Sequence, residues 1–196
     1  LNFNRGYMDF QPDYRHFIDV MRNTRPRRLP LYEHIISPHV MVNALGPGFE
    51  ELLSGKKNDI SEYFRSYCEF FRLMTYDVVS FEVCIGGALP GKSSLRGGEG
   101  PIQTRQDFEK YQWDDVTRIY WEQATPRFDA LVATLPPGMK CVGGVGNGVF
   151  EISESLVGME YLPFMQADDP DLYADLFRKI GDLMSSIWKE FLKKYA

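Results

Sequence analysis

Apolar residues recur along the chain at two spacings, and the boundaries between them mark the elements. Tyr14, Phe17, Ile18 and Met21 stand at i, i+3, i+4 and i+7 behind Gln11-Pro12-Asp13, which predicts a helix with one buried face and proline in its first turn. His16 falls off that stripe and is expected in solvent. Leu29 to Ile35 reads as a short strand with Pro30 at its start or edge. Ser37-Pro38 resembles a helix cap followed by proline at the first helical position, and Gly46-Pro47-Gly48 ends that helix. Asp59-Ile60-Ser61-Glu62 is a capping-box-like start, backed by an apolar stripe of Ile60, Tyr63, Phe64, Tyr67, Phe71 and Met74. Cys68 lies on that face as a small core residue. A second strand is expected over residues 77–84.

Residues 85–104 are glycine-rich and read as a long loop carrying Lys92, Arg96 and Glu99. A short helix over 103–110 follows, then a longer one from Val116 towards Leu135, which Pro126 should kink or interrupt. After the turn at Pro136-Pro137-Gly138 comes a third strand, a turn on Gly143, Gly144, Gly146 and Gly148, and a helix bearing Glu151 and Glu154. Asp169 and Pro170 then launch a terminal helix whose buried face is Leu172, Leu176, Ile180, Leu183, Ile187 and Phe191, with lysines near its end. Strands separated by helices imply parallel β/α units. The pattern fits a small open sheet or the front part of something larger. A complete eight-stranded barrel, which takes ~250 residues, is excluded.

Composition narrows the function. At 196 residues the chain suits a single domain over 1–196, with a helical lead-in at 1–28 and β/α units over 29–196. A net charge of −5 argues against nucleic acid as a partner. Between Cys141 and Phe177 there are seven acids and no Lys or Arg, so anions are not drawn to that surface. Cys68, Cys84 and Cys141 form an odd set without Cys-x-x-Cys spacing, which suggests reduced thiols and a cytoplasmic setting. No apolar run is long enough for a membrane span and no signal-peptide pattern opens the chain. The expected partner is a small-molecule substrate, with no membrane and no nucleic acid.

From about Arg25 onward the chain resembles the uroporphyrinogen decarboxylase family, which includes corrinoid-linked methyltransferases. The resemblance rests on the order of loose motifs: the run from Gly98 to Thr104 with Asp107-Phe108-Glu109-Lys110, the strand and glycine turn at 139–148, the Ser153-to-Gly158 segment, and Asp168-Asp169-Pro170-Asp171-Leu172. Leu29–Glu33 and Tyr76–Glu82 fall where that family has its first two barrel strands. The resemblance implies an α/β fold: the amino-terminal portion of a (β/α)8 TIM barrel, about three parallel strands with flanking helices. It also implies a chain continuing past Ala196, or a homo-oligomer that completes the sheet. The departures are informative. Glu33-His34-Ile35-Ile36 stands where the decarboxylase carries Arg-Gln-Ala-Gly-Arg, so a highly anionic porphyrinogen would be poorly received. Ser80-Phe81-Glu82 stands in place of a Phe-Ser-Asp context, and Glu154 falls near the family's active-site tyrosine. The methyltransferase branch implies zinc and a corrinoid, held through a His-x-Cys…Cys set whose positions would lie beyond Ala196. No metal ligand is assigned within this chain.

Candidate chemistry sits where the strands should end. Glu82, Glu33 and His34 are the candidate catalytic groups, with Glu82 as proton donor or acceptor. Asn147, Glu151 and Arg96 are the candidate substrate-binding groups. Glu33 and His34 are neighbours and would face opposite sides of a continuing strand. Glu151 and Glu154 would equally serve as dipole partners in a first helical turn. Gly144-x-Gly146-x-Gly148 lacks the dinucleotide-binding spacing and reads as close backbone packing. Three readings stand: a decarboxylase-like enzyme acting on a substrate other than uroporphyrinogen, a zinc- and corrinoid-linked methyltransferase, and a non-catalytic binding or assembly module.

Overall fold

A computed structural model describes residues 10–91, 94 and 97–196. Its element order is α1 (Arg15–Met21), α2 (Pro38–Leu45), α3 (Pro47–Leu53), α4 (Ile60–Leu73), β1 (Val78–Cys84), a 3-10 turn (Ile85–Ala88), α5 (Arg105–Lys110), α6 (Trp113–Thr134), β2 (Lys140–Gly146), α7 (Val149–Val157), α8 (Leu162–Asp168) and α9 (Pro170–Tyr195). Among the described residues the sheet has two strands, β1 beside β2. A Cβ at Gly143 would fall 2.1 Å from the Phe81 carbonyl oxygen, and one at Gly146 would fall 2.7 Å from Cys84 Sγ. The two contacts keep the same offset along the chain, so the strands run parallel, joined by the crossover through α5 and α6. Gly143 has φ 132°, a conformation closed to side chains, and the contact with Phe81 closes the space as well.

The expected three-stranded barrel front is not what forms. Residues 29–35 take no strand conformation, and the fold is an α-rich one with an open two-stranded sheet. A strand buried within a parallel sheet needs partners on its ladder and cover on its faces. Leu29 and Ile35 are instead exposed, at 79% and 70%, Pro30 offers no N–H, and Glu33 and His34 put polar groups in the middle. The lead-in differs too: His16 is buried while Met21 is exposed. Helix α6 runs through Pro126 without a break in its assignment.

The chain divides into two compact units, residues 1–81 with 125–143 and residues 82–124 with 144–196. In the first, Met41, Phe49, Phe64, Cys68, Phe70, Phe71, Val79, Leu131 and Met139 form one core. Each such large side chain removed from water contributes about 1.5–3 kcal/mol. Helix α4 supplies its wide face, opened by Asp59, whose Oδ1 accepts from the Glu62 amide at 2.9 Å. The start of β1 is fixed by Asp77, which is fully buried. Its carboxylate accepts from Arg28 Nη1 at 2.6 Å and from the Asp13 amide at 2.7 Å, so the buried charge is paired and hydrogen-bonded.

In the second unit α9 is the main support. Asp169 Oδ1 accepts from the Leu172 amide at 2.8 Å, Pro170 occupies the first turn, and Leu172, Leu176, Ile180, Leu183 and Ile187 are buried along one face. Helices α7 and α8 pack on it. No helix among the described residues is long and apolar enough to cross a membrane.

Candidate functional site

The carboxyl ends of β1 and β2 bring together part of the expected set, all of it in the second unit. Glu82 and Cys84 are two residues apart and therefore share a face of β1. Both abut the backbone of Gly146: a Cβ there would lie 2.7 Å from Cys84 Sγ and 3.0 Å from Glu82 Cδ. Glycine at 146 is thus what admits the carboxylate and the thiol to this spot. Cys84 Sγ donates to Glu82 Oε1 over 3.8 Å. Burial raises the thiol above its ordinary range, and the Glu82 and Glu151 charges add to the shift, so Cys84 is held as the neutral thiol.

Asn147 follows β2 with φ 73°, a left-handed conformation that asparagine tolerates better than most residues. Its Oδ1 accepts from the Gly86 amide at 2.8 Å, which ties the 3-10 turn after β1 to the loop after β2. Its amide nitrogen makes no hydrogen bond with the described residues and remains a donor. Glu151 is exposed, and its Oε2 accepts from the Gly148 amide at 2.7 Å. It therefore closes the first turn of α7 and serves as a dipole partner there.

Glu33 and His34 belong to the first unit, in an irregular exposed segment, and do not end a strand. The Glu33 charge adds to the burial that raises the Tyr76 hydroxyl. Arg96 lies outside the described residues. One residue escaped the sequence reading: Tyr120 of α6, fully buried, whose hydroxyl donates to the Val83 carbonyl at 3.3 Å. Its pKa is raised by burial first, then by the Cys84, Glu82 and Tyr195 charges. The available signal was its position in the Val116–Tyr120–Ala124 stripe, where it is the one side chain with a polar tip.

Among the described residues no group of three or more His, Cys, Asp or Glu side chains is placed to hold a metal ion. Cys68 and Cys141 are thiols pushed up to about 12 by burial, and so are unreactive core residues. Comparison with protein-family models, characterised proteins and solved structures returns no match.

Proposed function

We propose that this chain is an enzyme resembling the uroporphyrinogen decarboxylase family, in which Glu82 moves a proton to or from a small-molecule substrate other than uroporphyrinogen. One observation carries the reading: the Glu82 carboxylate and the neutral Cys84 thiol meet against Gly146 where two parallel strands end. That is the end of the sheet where parallel α/β proteins place their ligands. The chemistry follows from the group. In decarboxylation the bond to the substrate carboxylate breaks, CO2 leaves with neither proton nor electron pair, and the remaining carbanion takes a proton. Glu82 relays that proton from water, whose hydroxide is left in solvent. The Asn147 amide nitrogen offers a neutral donor to orient the substrate. The seven acids without a Lys or Arg between Cys141 and Phe177 favour a neutral or singly charged substrate over a polyanion. Unpaired Cys68, Cys84 and Cys141 support a reducing, cytoplasmic setting.

The test is CO2 release from a panel of small heteroaromatic and phenolic carboxylic acids by the wild type and by Glu82→Gln. General-acid loss is expected to slow turnover by about 10²–10⁴-fold, with the urea midpoint nearly unchanged. Turnover that survives the substitution removes Glu82 from the chemistry. Release from none of the acids overturns the decarboxylase reading.

A further inference from the structure

The first unit holds a cavity of about 350 Å³ between the loop joining α3 to α4, the start of α4 and Arg127 of α6. Sites that enclose one small molecule run from ~300 to ~1,000 Å³, so this one suits a single compact ligand. Its walls are apolar: Leu52, Leu53, Ile60, Tyr63, Phe64 and Phe81. Leu52 and Phe64 are buried, Tyr63 and Phe81 half-buried, and Leu53 and Ile60 reach solvent.

The aromatic part of the wall is set before any ligand arrives. Tyr63 stacks on Phe49 with ring centroids 5.4 Å apart and on Tyr67 at 6.0 Å, while Phe64 meets it edge-on at 5.1 Å. Phe64 in turn stands at 90° to Phe81, 4.9 Å between centroids. Phe49 and Tyr67 do not line the cavity, so they brace Tyr63 from outside it. A wall already held in place loses little freedom when a ligand settles on it. Ring faces and edges presented together favour another ring, through offset and edge-to-face contacts. The complement of this surface is a planar aromatic molecule.

Charge at the rim decides which one. Lys57 is paired with Glu62. Asp59 Oδ1 accepts from the Glu62 amide at 2.9 Å, and its charge is met by the positive end of the α4 dipole. Arg127 is exposed, and no carboxylate among the described residues pairs with it. One positive charge is therefore left over. Standing in solvent, it discriminates between ligands but does little to hold them. Affinity comes from the apolar wall.

We infer that this cavity binds a small planar aromatic monoanion, an aryl carboxylate, with its ring against Tyr63, Phe64 and Phe81 and its charge towards Arg127. None of these residues belongs to the Glu82 site, so the inference stands or falls apart from the proposed reaction.

The probes are 1-naphthoate and its uncharged isostere 1-naphthamide, titrated into the full chain by calorimetry at constant pH and ionic strength. Naphthoate should bind saturably, about two- to fivefold tighter than the amide. Leu53→Trp fills the cavity from an exposed position and should weaken both probes at least tenfold, with the urea midpoint in place. Arg127→Gln should bring naphthoate down to the affinity of the amide and leave the amide unchanged, a split that loss of folding does not produce. Glu82→Gln, and Phe164→Ala at an exposed aromatic of the second unit, should bind as the wild type does. Binding lost in Glu82→Gln would put the probe at the proposed reaction site, and binding lost in Phe164→Ala would put it on a surface patch. Either result overturns the inference. So do heats that never saturate, equal affinities for the two probes, or a stably folded Leu53→Trp protein that binds like the wild type.

Discussion

Cys84 is a reporter placed beside Glu82, on which the proposed reaction depends. Its thiol is raised by burial first and then by the Glu82 carboxylate, which also accepts its hydrogen bond. Removing the negative charge with Glu82→Gln lowers the thiol pKa, increases the thiolate fraction at pH 8 and should speed alkylation of Cys84 by iodoacetamide severalfold. Cys68 and Cys141, pushed up to about 12 by burial, should react in the native protein with neither version. Equal rates in wild type and variant would show that the thiol does not sense Glu82. The measurement needs no substrate, so it checks the geometry separately from the reaction. Glu82 was legible in the sequence as an acid where an apolar strand ends. Tyr120 was not, because a tyrosine in a core stripe looks like any other buried aromatic until the strand it touches is known.

Elements were legible in proportion to their length and their caps. Helix α9 repeats its apolar face over 26 residues and opens on Asp169-Pro170, so periodicity and capping agree. Helices α3 and α8 have 7 residues each, too few for a period to stand out, and α3 begins in a Gly-Pro-Gly stretch that reads as a breaker. The loop over 85–104 was legible as a loop, but part of what it does was not. Residues 94–103 add donors to the carbonyls at the end of α7: Ser94 Oγ donates to the Glu154 carbonyl at 2.6 Å, the Gly100 and Ile102 amides donate to Val157 and Leu156, and Gln103 Nε2 donates to Val157 at 2.7 Å. Helix ends left unpaired in a buried setting are costly. Ser94→Ala should therefore destabilise the protein by about 1–2 kcal/mol, read as a lower urea midpoint. Gln103→Ala should cost a similar amount, because the Val157 carbonyl keeps the Gly100 amide just as the Glu154 carbonyl keeps the Gly158 amide. A Ser94→Ala midpoint equal to wild type would mean that the loop does not hold the helix end.

For the molecule as a whole, the failed strand is the most informative segment. Local alternation can propose a strand at 29–35, but only a neighbouring ladder can make one, and that depends on the entire fold. Left irregular, the segment exposes Leu29 at 79%, Leu31 at 45%, Tyr32 at 47% and Ile35 at 70%. Four large apolar side chains within seven residues are more than the scattered exposure normal for a protein surface, and such patches promote association. The net charge of −5 is modest for 196 residues, so repulsion between copies opposes contact only weakly. Self-association that grows with concentration is therefore expected, with sedimentation giving an average mass rising above 22.6 kDa. Replacing Leu29 and Ile35 together by Lys should hold the mass near that value at the same concentrations. Because both side chains are already in solvent, the unfolding midpoint should shift by no more than ~0.5 kcal/mol per site. A wild type that stays monomeric at every concentration would refute the association. A double variant that unfolds much more easily would show that these side chains support the fold, and that their exposure has another cause.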